Sequence, residues 1–264
     1  MTPILMLGAG RMGGALIEGW RAAGAFAASD LIIREPYSNP TLDAAKAQGA
    51  QVNPPDAELA QAKTVLLAVK PQMWREAAAE VAAHLNADAV IVSIAAGVRA
   101  ADISQAFGGR RVARIMPTTA VAVCQGTASI YASDPEALAR ARALFEPVGT
   151  VVELADEELM HAATGVSGSA PAYLYAFVEA LEAAGAAAGL PPTDSARLAR
   201  STIAGAAALM ARSGDEPAEL RKQVTSPGGT TQAALDVLLG EGGFPELLRE
   251  AVAAAARRSK ELGA

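Results

Sequence analysis

At 264 residues the chain can bury one large core or two modest ones. Its 22 Lys and Arg stand against 28 Asp and Glu, a net charge of -6, and no basic run is long enough to follow a phosphate backbone. That balance excludes nucleic acid as a partner.

In chain order, the apolar run Pro3–Leu7 reads as a strand, with a helical pattern at Met12–Ala23 directly after it. Further strands are predicted at Leu31–Arg34, Thr64–Val69, Ala89–Ser93, Val112–Met116, Thr127–Tyr131 and Thr150–Leu154. Helices are predicted at Leu42–Gln48, Met73–Leu85, Ala101–Phe107 and Pro135–Phe145. This alternation is the pattern of a doubly wound parallel sheet in an α/β fold. No basic, apolar leader precedes Gly8, and the longest uncharged stretch, Ile115–Ser133, is broken by Pro117, Gln125 and Gly126. Neither reads as a secretory signal or a membrane span, so a cytoplasmic protein with no membrane partner is expected. The single cysteine, Cys124, precludes an internal disulfide and reads as a small buried hydrophobe beside Val121, Ala122 and Val123.

After Asp156 the alternation stops and helical patterns take over, at Glu157–Ala163, Pro171–Ala188, Thr193–Ser213, Pro217–Val224, Thr230–Leu239 and Pro245–Leu262. The chain therefore divides into a dinucleotide-binding domain of residues 1–155 and an all-helical domain of residues 156–264. Two of these helices, Pro171–Ala188 and Thr193–Ser213, are apolar around most of their circumference. Such helices must be buried, and a small helical domain has little interior to offer. Burial between subunits is the economical solution, so an obligate homo-oligomer built through the helical half is expected.

Two glycine-rich phrases carry the chemistry. Gly8-Ala9-Gly10-Arg11-Met12-Gly13 stands between a strand and a helix, where its glycines allow a tight turn, close approach to a pyrophosphate and close helix–strand contact. Arg34-Glu35-Pro36 closes the second strand, where the ribose-reading residue belongs; the alternative is that both charges are solvated turn residues. Glu35 would accept hydrogen bonds from free ribose hydroxyls and repel a 2′-phosphate, Arg34 would do the reverse, and only one of the two is expected to face the ribose. Ala68-Val69-Lys70-Pro71 and Ser93-Ile94-Ala95-Ala96-Gly97 end the third and fourth strands, where small residues leave room for a flat cofactor and Lys70 can meet a phosphate or ribose.

The second phrase, Ser226-Pro227-Gly228-Gly229-Thr230-Thr231, opens a helix. Gly228 and Gly229 let the chain curl so that N–H groups of Gly229, Thr230 and Thr231 converge on a carboxylate; the alternative is an ordinary helix start capped by Ser226 or Thr230. A dinucleotide at one end and an acidic small molecule at the other point to a dehydrogenase or reductase.

These phrases, with Gly165-Val166-Ser167-Gly168-Ser169-Ala170-Pro171-Ala172-Tyr173, closely resemble the pyrroline-5-carboxylate reductase family over nearly the whole chain. The resemblance implies a Rossmann-type domain followed by a helical substrate-binding and dimerisation domain. It also implies reduction of 1-pyrroline-5-carboxylate to L-proline with NADPH or NADH, in the last step of proline synthesis. By resemblance Thr231 is the catalytic residue, its hydroxyl against the ring nitrogen, and Ser226, Gly228, Gly229, Thr230 and Thr231 bind the substrate. The cofactor falls to Gly8, Ala9, Gly10, Arg11, Met12, Arg34, Glu35, Ala68, Val69, Lys70, Pro71, Ala95, Ala96, Gly97 and Thr118. Dimers assembling into a decamer are implied as well.

The chain departs from the family at Arg114-Ile115-Met116-Pro117-Thr118-Thr119-Ala120, where the family reads Asn at the Thr118 position and Pro at the Ala120 position. Thr118 keeps a hydroxyl but lacks an amide that both donates and accepts, which implies altered cofactor placement. The family commonly places a small polar residue where Glu35 stands, so Glu35 tilts this chain toward NADH without excluding NADPH. Two alternatives share this domain arrangement or its nucleotide-binding half. A β-hydroxyacid-type dehydrogenase would carry a lysine shortly after a glycine-rich phrase, and Gly165–Leu181 holds none; a non-catalytic dinucleotide-binding regulator would not need the intact Ser226–Thr231 phrase. The two histidines, His84 and His161, belong to no metal-ligand cluster, so no metal is expected, and a structural role for His161 outweighs that of a catalytic acid.

Overall fold

A computed structural model of the chain describes residues 1–263. It divides into two compact units, Met1–Gly168 together with the residues from Ala253 onward, and Ser169–Val252.

The first unit is an eight-stranded sheet: β1 (Ile4–Leu7), β2 (Leu31–Arg34), β3 (Gln51–Val52), β4 (Thr64–Leu67), β5 (Val90–Ser93), β6 (Val112–Pro117), β7 (Gly126–Tyr131) and β8 (Gly149–Glu153). The order is β3-β2-β1-β4-β5-β6-β7-β8. Every neighbouring pair is parallel except β6–β7, which is antiparallel. A parallel return needs a crossover of about a dozen residues or more, and the short link from Thr118 to Gln125 can only fold back as a hairpin. β3, absent from the sequence reading, is a two-residue edge strand too short to leave a pattern.

All four residues of β1, β4 and β5 are buried, which is why their sequences run apolar, apart from Thr64 and Ser93 at the strand ends, instead of alternating. Helices α1 (Arg11–Ala23), α2 (Pro40–Ala47), α3 (Trp74–Val81), α4 (Ala100–Ala106) and α5 (Pro135–Phe145) join the strands. One apolar cluster gathers Trp20, Leu16, Ile33 and Phe145; another gathers Trp74, Ile103 and Phe107. Trp20 anchors the first, its indole N–H donating to the Leu144 carbonyl at 2.7 Å. Asn39 caps α2 and Asp134 caps α5, each followed by a proline in the first turn, so both starts are locally encoded. The unit continues beyond the expected 155/156 division through α6 (Leu159–Ala163) and a π-helical turn at Thr164–Gly168. Glu157 ties that segment down: one carboxylate oxygen accepts from buried Arg114 at 2.7 Å and from the Ala100 N–H at 2.7 Å.

The second unit holds α7 (Ala170–Ala187), α8 (Pro192–Ser213), α9 (Pro217–Gln223), α10 (Thr230–Leu238) and the beginning of α11 (Phe244–Glu261). Arg200 grips Glu182 through two hydrogen bonds of 2.7 and 3.2 Å, and the Ser195 hydroxyl donates to the Glu182 carbonyl at 2.8 Å. Phe177 and Phe244 meet edge to face with centroids 5.8 Å apart. Yet α7 buries no residue and α8 only Ser195 and Ala199, while Leu174, Tyr175, Leu181, Leu198, Leu209 and Met210 stand exposed. The apolar surface of these helices finds no cover within one chain.

From Ala253 onward α11 belongs to the first unit. A Cβ added to Gly97 would stand 2.7 Å from the Ser259 carbonyl oxygen and 2.8 Å from the Gly263 nitrogen, so only glycine admits this approach. Ser259 also hydrogen-bonds the Nδ1 of buried His161 at 2.9 Å. Burial, and then the positive charge of Arg114, hold the His161 pKa below its ordinary 6.5, with Lys260 and Arg99 adding to the effect and Glu158 opposing it. A histidine depressed in the fold takes up its proton more readily in the unfolded chain. Its contribution to stability is therefore complete above pH 6.5 and is lost as pH falls through the folded value. Urea unfolding on either side of pH 6.5 should show stability falling on the acid side, with a shallower fall in His161→Gln.

Candidate functional site

Strand order reverses at β1, which pairs with β2 on one side and β4 on the other. In open parallel sheets a ligand crevice forms at the carboxyl ends of such strands. Gly8 occupies that point: its N–H donates to the Arg34 carbonyl at 2.8 Å, its φ is +96°, and an added Cβ would lie 2.9 Å from the Ala68 carbonyl oxygen. A Cβ on Gly13 would strike the Gly8 carbonyl, so the helix can sit this close only on glycine. Gly10 differs, because nothing lies within 4 Å of an added Cβ there. It precedes α1, whose start has no side-chain cap and no acidic residue in its first turn. Those features leave the amides of Arg11 and Met12 open to an anion.

Sheet register brings the other expected cofactor residues to the same edge. The Ala68 N–H donates to the Leu7 carbonyl at 2.8 Å and the Ile94 N–H to the Leu67 carbonyl at 3.1 Å, which carries Ala68–Pro71 and Ala95–Gly97 out beyond β4 and β5. Lys70 is exposed and has no ion-pair partner among the described residues. Thr118, at the end of β6, is buried and braces the β6–β7 hairpin, its N–H donating to the Thr127 carbonyl at 2.9 Å and its hydroxyl accepting from the Thr127 N–H at 3.0 Å.

Arg34 and Glu35 take different roles. Glu35 turns inward, 9% exposed, and accepts the Ala9 N–H at 2.8 Å on one oxygen and the Tyr37 N–H at 3.0 Å on the other. Its own backbone is bracketed by the Asn53 side-chain amide, through bonds of 3.0 and 2.9 Å. Arg34 pairs with Asp56, and its Nε is buried without a partner among the described residues. Asn39 donates to the Ala9 carbonyl at 3.2 Å. Asn39, Asn53 and Asp56 escaped the sequence reading. The Asn39-Pro40 and Asn53-Pro54 pairs are turn signals that could have flagged the first two, whereas nothing local marks Asp56. The glycine cradle, the open α1 start, the unpartnered Arg34 Nε and exposed Lys70 fit a phosphate-bearing dinucleotide.

In the second unit Gly228 adopts φ +69° and the Gly229 N–H donates to the Ser226 carbonyl at 3.0 Å, forming a tight turn. A Cβ on Gly229 would strike the Ser226 hydroxyl. α10 starts here with no side-chain cap and no acidic residue in its first turn. A helix start of this kind can receive a carboxylate.

A cavity of about 540 Å³ lies at the opposite, amino-terminal end of β2, lined by Trp20, Phe26, Leu31 and Thr41 among others. Among the described residues no group of three His, Cys, Asp or Glu side chains could hold a metal ion. No helix among them is long and apolar enough to cross a membrane.

Residues 157–262 match the model of the pyrroline-5-carboxylate reductase dimerisation family, and residues 3–97 that of the coenzyme F420-dependent NADP oxidoreductases. Over 262 residues the chain is 40% identical to the pyrroline-5-carboxylate reductase of Synechocystis sp., covering 98% of this chain and 97% of that one. The pyrroline-5-carboxylate reductase structure from Coxiella burnetii superposes with a TM-score of 0.90 at 30% identity, over 100% of this chain and 99% of that chain. A Plasmodium falciparum pyrroline carboxylate reductase structure with NADP bound gives 0.84 at 25% identity, over 100% and 98% of the two chains.

The two glycines of the first turn should respond differently to alanine. Gly8→Ala forces a left-handed φ and a backbone collision, at a cost of roughly 1–3 kcal/mol, read as a lower urea midpoint. Gly10→Ala meets open space, so the midpoint should hold while dinucleotide binding weakens in a titration.

Proposed function

Because the chain belongs to the pyrroline-5-carboxylate reductase family, we propose that it transfers a hydride from NADPH or NADH to the imine carbon of 1-pyrroline-5-carboxylate, giving L-proline. It is an NAD(P)H-dependent oxidoreductase, and the reaction completes proline synthesis. The full-length identity to the Synechocystis reductase carries this reading.

A bound reduced nicotinamide supplies the hydride. The protonated ring imine is already electrophilic, so the protein's task is orientation more than strong acid catalysis. The N–H groups of Thr230 and Thr231 at the start of α10 hold the substrate carboxylate, the Gly229 N–H that the sequence also offered being spent on the Ser226 carbonyl to close the turn, and the Ser226 hydroxyl adds a hydrogen bond. The Thr231 hydroxyl, half-buried on α10, fixes the ring nitrogen as its proton is retained and the C=N bond becomes a single bond. At the sheet edge Gly8–Met12 receive the pyrophosphate, Arg34 and Glu35 the adenosine ribose, and Ala68–Pro71, Ala95–Gly97 and Thr118 the flat remainder. Glu35 already accepts two backbone N–H groups. A carboxylate has about four acceptor positions, so it can still accept ribose hydroxyls, in keeping with dual cofactor use and a weakened preference for NADPH.

The uncovered apolar faces of α7 and α8 and the match to a dimerisation family support a homodimer joined through the helical unit; five such dimers in a cytoplasmic decamer are the larger assembly proposed.

Purified protein should oxidise NADPH and NADH when given 1-pyrroline-5-carboxylate. Oxidation of hydroxyacids with NAD(P)+ in its place would overturn the reading. Losing one hydrogen bond to a charged partner costs about 1.5–3 kcal/mol, so Thr231→Ala should lower kcat/KM by roughly 10- to 150-fold with cofactor binding intact. Light scattering at micromolar concentration should give a multiple of 26.8 kDa; a monomer would contradict the shared helical interface.

A further inference from the structure

Around the ribose end of the first unit three charged or titratable side chains meet that the proposed reaction does not use as a group. Arg34 closes β2 beside the glycine turn, with its backbone carbonyl bound by the Gly8 N–H. Its guanidinium reaches across to Asp56, the first residue of a short 3-10 helix at Asp56–Gln61. The other Asp56 oxygen stands 3.7 Å from the His84 Nε2. Asp56 and His84 are substantially exposed, Arg34 is 28% exposed, and the Arg34 Nε is buried with nothing to donate to.

The Arg34 guanidinium thus has one face occupied by a carboxylate and one donor unsatisfied. Glu35, the neighbouring charge, accepts the Ala9 and Tyr37 amides and, being a carboxylate, can accept further hydrogen bonds but has none to donate to a phosphate. Arg34 is therefore the group free to answer a phosphate on the ribose, and Asp56 sets how free it is.

We propose that Asp56 is a specificity-determining residue for the cofactor: it holds the Arg34 guanidinium and places a negative charge where a 2′-phosphate would seek it, shifting the enzyme toward the cofactor lacking that phosphate. This rests on the assignment of the β1–β2 edge to the adenosine ribose. An exposed ion pair contributes little to stability, so Arg34 can exchange Asp56 for a ligand phosphate without unfolding the edge. The displaced carboxylate remains close enough to repel that phosphate, less so as salt screens it.

The test uses the full-length protein and two probes that need no turnover, 2′,5′-ADP and 5′-AMP, titrated calorimetrically. Asp56→Asn keeps the shape and removes the charge; it should tighten 2′,5′-ADP by roughly tenfold at low salt, leave 5′-AMP within about twofold, and raise the NADPH/NADH ratio of kcat/KM in parallel. Asp56→Ser should act in the same direction, and Arg34→Ala should weaken 2′,5′-ADP below wild type while sparing 5′-AMP. Equal shifts for both nucleotides in the Asp56 variants, or unchanged 2′,5′-ADP affinity, would overturn the proposal. A wild type that binds both probes yet reduces no cyclic imine would count against the proposed reaction and not against Asp56.

Discussion

The carboxyl edge of the sheet depends on the missing side chain at Gly8. At φ +96° and with the Ala68 carbonyl less than a methyl group's reach away, this position brings the ends of β1, β2 and β4 together. Any side chain here would push β4 outward or break the hydrogen bond from the Gly8 N–H to Arg34. Because of that closeness the Ala9 amide falls within reach of Glu35, α1 starts directly above the crevice, and Gly13 can rest on the Gly8 carbonyl. Later strands inherit the placement through their register with β1 and β4.

Two adjacent charges then divide their work by burial. Glu35 is nearly enclosed and charge-assisted by two backbone amides, so removing it would leave the Ala9 and Tyr37 N–H groups without their acceptor. Arg34 is held by an exposed pair, which contributes about 0–1 kcal/mol to stability. The buried contact is structural and the exposed one exchangeable. With both, the first keeps the turn in shape while the second is free to exchange its partner.

The helical unit follows another logic. Its helices are held to one another by the Glu182–Arg200 grip, the Ser195 bond and the Phe177–Phe244 contact, none of which buries much apolar surface. The Arg200 hydrogen bond draws the Glu182 carboxyl below its ordinary range, but the pair is exposed and organises α7 against α8 more than it stabilises them. Apolar area must supply the rest, and that area lies on the outside of one chain. A unit built this way is completed by association.

Much of the architecture was legible in the sequence because its signals are local. Apolar runs marked the seven longer strands, the helix predicted from Pro135 begins where α5 begins, and the glycine phrases at 8–13 and 226–231 fall at the starts of α1 and α10. Only the tertiary structure decided that β7 runs antiparallel to β6, that β3 exists, and that the compact sheet unit runs to Gly168 and takes back α11 from Ala253. It alone gave Glu35 to the Ala9 amide, Arg34 to Asp56, Thr118 to the hairpin and His161 to Ser259. The division has a physical cause. Periodicity, caps and glycine turns act over a few residues and are written in order along the chain, whereas a charged or polar side chain chooses its partner from whatever folding brings within about 3 Å, and that choice has no local trace.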